Sequence, residues 1–375
     1  MKGKLTQQPW FWAGLGSVLA LLVMGVGFGL AWWKRPATGG AAMPTLEVPP
    51  TFAAAQASPT SSPDAEGTAT EAATTGAPTA APSPTTPPTP TPEPLCGGPP
   101  QMRILVVGGR NGPQENSDLV RLVVIDFVKP EVRVVPFPRD LLVELPTEFV
   151  EQTGYGSPVK LASVNLVGSP FMVAGAQRGD GAILVARVLA QNFGVASDHY
   201  VAIGALLVDN FINAIGGITI YIPAEVDDPD NQAHFKPGYQ TLDGHVAVLF
   251  ARIRKDVGDL GRIERQSVVA KAVLQKILSP SILPQIPELV NYFFNVRNDL
   301  ITDLTPEDLS KFYCLAQHMT TEDILFYTAP KDLLALEVEP IYIGNQQIYA
   351  SVLRWDQRFV DWVHQALEGD IRPGE

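Results

Sequence analysis

The sequence predicts an α/β sandwich around one central sheet, preceded by a membrane anchor and a linker. Short apolar runs bounded by turn residues, the pattern of buried strands, recur at 104–107, 119–127, 131–137, 199–203 and 218–222. Helical patterns lie at 179–191 and 206–214. Strands that alternate with helices pack as layers on a shared sheet. With 375 residues, the chain is long enough for a substantial core.

The N-terminal apolar stretch predicts a single membrane-spanning helix. The 24 residues from Trp10 to Trp33 carry no charge, and as a helix they would measure about 36 Å. Tryptophans stand at both ends, where aromatic belts meet the membrane interface. A cleaved signal peptide is the alternative, but its apolar core is shorter, and Lys34-Arg35 is not a small-residue cleavage site. We therefore predict a cytoplasmic head at 1–9 and an extracellular remainder.

The next stretch, 34–97, is dominated by Pro, Thr, Ala and Ser. This composition cannot bury a core, so it predicts a disordered linker. The folded domain is predicted at 98–368, followed by a short tail at 369–375. The proline-rich stretch around 280–287 is either a loop or a boundary, and we treat the domain as one.

Turn and cap residues predict the elements within this domain. A Lys-Pro turn joins the strands at 119–127 and 131–137 as a hairpin. Thr305, with Asp308 three residues later, has the pattern of a helix N-terminus. Residues 341–365 predict a final strand and an amphipathic helix.

Charge and cysteine content exclude some classes of protein. The net charge of −12 repels a nucleic-acid backbone, so general DNA or RNA binding is disfavoured. Two cysteines, Cys96 and Cys314, are too few for a disulfide scaffold. We predict one bridge between them in an oxidising compartment, with two separate thiols as the alternative. The five histidines lack ligand spacing and are interpreted as structural or surface groups.

A basic stretch at 252–266, RIRKDVGDLGRIERQ, stands out in this acidic chain. The apolar run 246–251 before it predicts a short strand, on which Arg252 and Arg254 would share a face.

A helix predicted from 262 to 278 would project Arg262, Arg265 and Gln266 to one side near its N-terminus, where anions are favoured. The groups together predict a phosphate-rich ligand. The alternative is a solvated loop whose cations pair with neighbouring acidic side chains.

Several motifs in order carry a resemblance to a known family. They are N-S-D at 116–118, F-P-R-D at 137–140, G-Y-Q-T-L-D-G at 238–244 and R-I-R…D-L-G-R-I-E-R-Q at 252–266. With them the chain resembles the LytR-CpsA-Psr family of bacterial cell-envelope proteins. The resemblance implies an α/β/α sandwich with a mixed central sheet and a lipid-binding groove. It also implies a membrane-anchored extracellular phosphotransferase that moves a glycopolymer from a polyprenyl-pyrophosphate carrier to peptidoglycan, assisted by Mg²⁺ or Mn²⁺.

The resemblance also implies roles for individual residues. Pyrophosphate binding falls to Arg139, Arg252, Arg254, Arg262, Arg265, Gln266 and Arg110. The catalytic set is Asp259, Arg139 and Arg262. The metal ligands are Asp118 and Asp259. Asp140, which pairs with the arginine of its motif, and Asn116 are supporting residues.

Two departures from the family pattern keep a second function open. The family commonly has an aspartate where this chain has Arg110, and an arginine where it has Asn116. Arg110 either replaces the positive charge of the metal on the pyrophosphate or leaves a protein that binds the carrier without efficient turnover. The alternative function is therefore a degenerate member that binds polyprenyl pyrophosphate or an anionic glycan in a regulatory or structural role.

Overall fold

The structure, a computed structural model, describes residues 40–49, 93–229, 232–253, 258–289 and 299–374. In chain order its strands are Gln101–Gly109 (β1), Ser117–Asp126 (β2), Glu131–Pro136 (β3), Leu142–Val143 (β4), Val159–Lys160 (β5), His199–Gly204 (β6), Ile218–Ile222 (β7), Val226–Asp228 (β8), Ala233–Phe235 (β9), Gly238–Leu242 (β10), Leu300–Thr302 (β11), Ile324–Phe326 (β12), Leu334–Ile343 (β13) and Gln346–Trp355 (β14). Its α-helices are Thr147–Thr153 (α1), Leu161–Val167 (α2), Asp180–Phe193 (α3), Ala205–Ala214 (α4), Gly244–Arg252 (α5), Gly258–Ile277 (α6), Pro306–Ala316 (α7) and Gln357–Glu368 (α8).

A six-stranded mixed sheet forms the centre, in the order β11-β6-β1-β2-β3-β12. β1 runs parallel to β6, and β3 runs parallel to β12, whereas the other neighbours are antiparallel. The hairpin predicted around the Lys-Pro turn is the β2–β3 pair. The predicted α/β fold with a mixed central sheet is confirmed.

Alternating side chains of the central strands divide the core between two faces. Leu105, Val107 and Leu122 point to one face, where they pack with residues of α2, α3 and α8 in the largest apolar cluster. Met102 and Ile104 point to the other face and pack with Leu315 of α7. Full burial of each such side chain contributes roughly 1.5–3 kcal/mol. Helices therefore cover both faces of the sheet.

A second apolar cluster lies beside the sheet and joins α4, α5 and α6 to the β7–β10 ribbon. Ile212, Ile220, Phe250 and Val269 are buried in it. This cluster holds α6 in place, and α6 carries four of the predicted site residues: Asp259, Arg262, Arg265 and Gln266.

The run 246–251 is helical, so the predicted strand was wrong. The side chain of Asp243 accepts a hydrogen bond from the backbone N of Val246 at 2.9 Å and caps the start of α5. Ala247 and Phe250, three positions apart, are buried on the same face of the helix. A short apolar run does not distinguish a strand from a buried helix, and here the cap and the packing decide.

Part of the predicted linker is docked on the domain. In the segment 40–49, the Ala41 backbone N donates to Arg178 O at 2.9 Å, and Tyr200 Oη donates to Ala41 O at 2.8 Å. Ala41, Met43 and Leu46 pack against the largest apolar cluster. The prediction of a disordered linker over all of 34–97 therefore does not hold for 40–49. The apolar side chains of this segment bury surface on the domain, and the average composition of 34–97 does not reveal them.

The other end of the predicted linker is also ordered. Residues Leu95–Gly97 form a 3-10 turn, and Cys96 within it is bonded to Cys314 of α7, with a Cα–Cα distance of 5.8 Å. The predicted disulfide is confirmed. The predicted tail contributes too, since Tyr327 Oη donates to Ile371 O at 2.9 Å.

The predicted membrane-spanning segment 10–33 and the head 1–9 lie outside the described residues. Within the described ranges, no helix has both the length and the apolar character needed to cross a membrane.

Candidate functional site

The site begins at a bulge in β2. Gly108 of β1 pairs with Leu119 and Gly109 pairs with Ser117, so the register between the two strands skips Asp118. An extra residue of this kind bends the strand and re-aims its side chain. Asp118 thereby joins the lining of a cavity between the sheet and the helices α4, α5 and α6.

Two arginines from distant parts of the chain converge on Asp118. Arg139, in the turn after β3, donates from Nη1 to Asp118 Oδ1. Arg262 Nη1 of α6 lies 3.6 Å from the same oxygen, and the Arg262 side chain is only 1% exposed. One carboxylate between two guanidiniums leaves a net positive charge in a partly desolvated place. Such a group favours an anionic ligand.

Asp140 belongs to a neighbouring ion pair. The predicted contact with Arg139 is long, 3.8 Å from Arg139 Nε to Asp140 Oδ1. Lys160 Nζ is closer, at 2.9 Å from that oxygen. Asp140 therefore links the turn that contains Arg139 to Lys160 in β5. It contributes less to the orientation of the Arg139 guanidinium.

Arg121 is a site residue that the sequence reasoning missed. It lines the cavity from β2, is 5% exposed, and donates from Nη2 to Ile263 O at 3.1 Å. Burial, with a smaller contribution from the charge of Arg262, lowers the pKa of Arg121 to about 10, so it stays protonated at neutral pH. The available signal was a single cationic residue in the middle of a mostly apolar strand pattern, 119–127.

Gln266 and Arg252 line the same cavity, from α6 and from the last turn of α5. Their role in pyrophosphate binding stays a prediction. Gln266 Nε2 donates to Asp118 O at 3.3 Å and so ties α6 to the bulge.

Arg110 is exposed at the rim, in the loop between β1 and β2. This loop turns back tightly, since a Cβ on Gly109 would collide with Gly112 O. Buried Asn165 holds it by donating to Pro113 O at 3.0 Å and to Glu115 O at 2.8 Å.

The cavity has a volume of about 560 Å³ and combines a cationic rim with apolar walls. The polar residues gather where β1 and β6 end and β2 begins. Further along the sheet the walls are apolar, with Val123, Val134 and Phe326 from the strands and Val208 and Val269 from the helices. The shape suits an amphiphile with an anionic head.

Some predicted residues lie elsewhere. The prediction for Arg265 was wrong: its Nη1 donates to Ile253 O at 3.0 Å, and its guanidinium lies 6.0 Å from the centre of the Phe250 ring, so it closes the end of α5. Asn116 is exposed and is not in the cavity lining. Arg254 lies outside the described residues. The backbone of Asp259 belongs to α6, but its side chain is likewise outside the description.

The described residues do not fit a magnesium ion. Asp118 is the one carboxylate among them that lines the cavity, and it already faces two arginines. Mg²⁺ requires a near-octahedral shell of oxygens, and adjacent guanidiniums repel it. Elsewhere in the described chain, the one cluster of possible metal ligands is Cys96, Cys314 and His318, whose cysteines form the disulfide. The metal role of Asp118 with Asp259 stays a prediction.

Comparison with known proteins places this site in a family. Residues 98–357 match the LytR_cpsA_psr family. Biofilm regulatory protein A of Streptococcus mutans is 29% identical over 192 residues, which are 47% of this chain and 44% of that protein. Polyisoprenyl-teichoic acid–peptidoglycan teichoic acid transferase TagU of Oceanobacillus iheyensis is 26% identical over 224 residues, which are 59% of this chain and 65% of that protein. The matched stretches thus span less than two thirds of either relative.

The crystal structure of TagV of B. subtilis has the same fold. Its TM-score is 0.54 at 21% identity, covering 73% of this chain and 98% of that chain. The family match extends over more than half of the sequence, through the sheet, the bulge at Asp118 and both arginine-bearing elements. The chain belongs to the LytR_cpsA_psr family.

Proposed function

We propose that this protein transfers a glycopolymer from a polyprenyl-pyrophosphate carrier to peptidoglycan. The observation that carries the proposal is the pairing of Arg139 and Arg262 with Asp118, a carboxylate that lines the polar end of an apolar cavity. A polyprenyl pyrophosphate has the matching arrangement, a dianionic head on an apolar chain. The name of TagU, a teichoic acid transferase acting on polyisoprenyl-linked polymer, supports the same class of reaction.

The proposed step is a phosphoryl transfer. A hydroxyl oxygen of the acceptor sugar attacks the phosphorus that bears the glycopolymer and forms a new P–O bond. The bridging P–O bond of the pyrophosphate breaks, and polyprenyl phosphate leaves with that electron pair. Such reactions depend on positioning and on neutralising charge rather than on a protein nucleophile.

The arginines supply this neutralisation. Arg139 and Arg262 are held before the ligand arrives, so their orientation costs little during the reaction. Arg252 and Arg110 at the rim add positive charge near the polymer side. Asp259, three residues before Arg262 in α6, is proposed to accept the proton of the attacking hydroxyl.

The proposal includes the anchor and the compartment. Residues 10–33 are proposed to span the cell membrane once, with residues 1–9 in the cytoplasm and the domain outside. In this arrangement the carrier and the peptidoglycan acceptor are on the same side of the membrane as the cavity. Protease added to intact cells should remove the domain, and full protection would contradict this topology.

The activity is tested with the full-length chain, a short-chain polyprenyl-pyrophosphate-linked glycan and peptidoglycan. We expect release of polyprenyl phosphate and attachment of labelled glycan to peptidoglycan. Arg262→Ala, which removes a partner of Asp118, should abolish both products. Arg265→Ala removes a matched arginine of α6 that donates to Ile253 O instead, and it should keep them. Failure of the wild-type chain to form either product, under conditions in which it binds the carrier, would contradict a transferase.

A regulatory or structural carrier-binding protein is the second candidate. It is favoured by the cation Arg110 at the rim and by Asp118 being the one described carboxylate in the lining. A relative named as a regulatory protein is consistent with it. This candidate predicts tight carrier binding without release of polyprenyl phosphate in the assay above.

A further inference from the structure

Arg121 is a buried cation on an otherwise apolar part of the cavity wall. The side chains of Leu119, Arg121 and Val123 alternate along β2 on the same face, and all three line the cavity. Asp118 lies closer to the rim than Arg121, and apolar residues continue beyond it. Placing a guanidinium between apolar neighbours is unfavourable unless an anion or hydrogen bonds compensate it.

The protein compensates Arg121 only in part. Its Nη2 donates to Ile263 O at 3.1 Å and more weakly to Gln266 Oε1 at 3.4 Å. Its Nη1 is buried and has no hydrogen-bond partner within the part of the chain that the structure describes. Both partners of Nη2 are neutral, so the positive charge itself is not balanced by them.

The charge of Arg262 makes the imbalance larger. Arg262 acts on Arg121 as a like charge, and Asp118 lies against Arg262 and Arg139. Two guanidiniums held near each other in a desolvated place are unfavourable in the free protein and favourable around an anionic ligand. The arrangement is typical of a site prepared for a ligand with more than one negative group.

We propose that Arg121 forms a second anion subsite, which binds the phosphate attached to the apolar chain, inside the outer subsite of Arg139 and Arg262. The inference rests on the proposed function, because it assigns the two phosphates of the carrier to two places. The outer arginines would hold the phosphate that bears the glycan. Arg121 would hold the phosphate that leaves with the lipid, next to the apolar wall formed by Val123, Val134 and Phe326.

The two subsites are separated by comparing geranylgeranyl diphosphate with geranylgeranyl monophosphate. The monophosphate carries only the lipid-side group. Arg121→Met in the full-length chain should weaken binding of both compounds by about tenfold or more, since a hydrogen bond to a charged group is lost. Arg139→Ala should weaken binding of the diphosphate by a similar factor, and it should weaken binding of the monophosphate by less than about threefold. Arg121→Lys keeps the positive charge but lacks the paired donors of the guanidinium. Its affinity for both compounds should fall between those of wild type and Arg121→Met.

Arg265→Met is the matched control, because it removes an arginine near the same elements but outside the cavity lining. It should leave both affinities near those of wild type. A purely structural role of Arg121, acting through α6, would instead make Arg121→Met resemble Arg139→Ala. A monophosphate affinity within about threefold of wild type in Arg121→Met would overturn the subsite.

The outcome is distinct from that of the transfer assay. Loss of monophosphate binding in Arg121→Met, with no glycan transfer by wild type, supports the subsite and refutes the transferase. Transfer by wild type with unchanged lipid-phosphate binding in Arg121→Met refutes the subsite alone. If wild type binds neither geranylgeranyl diphosphate nor geranylgeranyl monophosphate, both the subsite and the proposed carrier binding are refuted.

Discussion

Arg262 Nη1 lies 3.6 Å from Asp118 Oδ1, and this contact joins α6 to the bulge in β2 across the rim of the cavity. The two residues are 144 positions apart in the sequence. Arg139 holds the same carboxylate from a third element. The site therefore depends on the packing of α6 against the sheet, and several predictions concern this packing and its charges.

Asp118→Asn should destabilise the free protein and make added anions more stabilising. The substitution leaves Arg139 and Arg262 facing each other without a negative charge between them. We expect a loss of about 1–3 kcal/mol in the free energy of unfolding, below the range for fully buried pairs because Asp118 is partly exposed. Urea denaturation with and without inorganic pyrophosphate measures it. Asp140→Asn, which affects the Lys160 pair, should show no added pyrophosphate effect.

Arg139→Ala, Arg252→Ala and Arg262→Ala should each weaken carrier binding by about 1.5–3 kcal/mol, the usual value for a hydrogen bond to a charged group. Calorimetry with a short-chain polyprenyl pyrophosphate measures this. Arg265→Ala is the control and should bind like wild type, because its guanidinium caps α5 instead. Equal losses in all four variants would show that overall charge, rather than the described cavity, sets the affinity.

Arg110→Asp should raise the affinity for Mg²⁺ or Mn²⁺ and any metal-dependent cleavage of pyrophosphate. It removes a cation at the cavity rim and adds the carboxylate that the resemblance to the family implies at this place. Calorimetry with Mn²⁺, with the carrier present and absent, compares wild type and variant. Tight metal binding by wild type that Arg110→Asp does not change would place the ion away from Arg110.

His199 should make stability depend on pH through its contact with Asp303. The hydrogen bond from the ring to Asp303, at 3.2 Å, is the largest cause of a raised pKa of His199. A raised folded-state pKa gives a stabilisation that is complete below the ordinary pKa of about 6.5. This stabilisation is lost as pH rises through the folded value.

The measurement is the free energy of unfolding of wild type and His199→Asn from about pH 5 to about pH 9. The difference between the two should shrink as pH rises. Asp303 also accepts from the Met43 backbone N at 3.1 Å, so protection of the 40–49 segment in hydrogen exchange is a second readout. A difference that grows with pH would contradict the assignment.

Local signals in the sequence were sufficient for many elements. The capping box of Thr305 and Asp308 starts α7 as predicted, and Gly194, in a left-handed conformation, ends α3. Both signals act within one helical turn, so they do not depend on distant packing. The run at 246–251 shows where local signals end, since its apolar residues suit either a strand or a helix.

The sequence by itself determined the alternation of strands and helices and the family motifs, and through those motifs it indicated Asp118, Arg139, Arg262 and Gln266 as candidate site residues. Only the tertiary structure decided which charges share one cavity. It places Arg121 beside Arg262 and turns Arg265 away, because α6 packs across β2 with one particular face. It also docks the 40–49 segment. These outcomes depend on contacts between residues far apart in the chain, whose free energies no local pattern records.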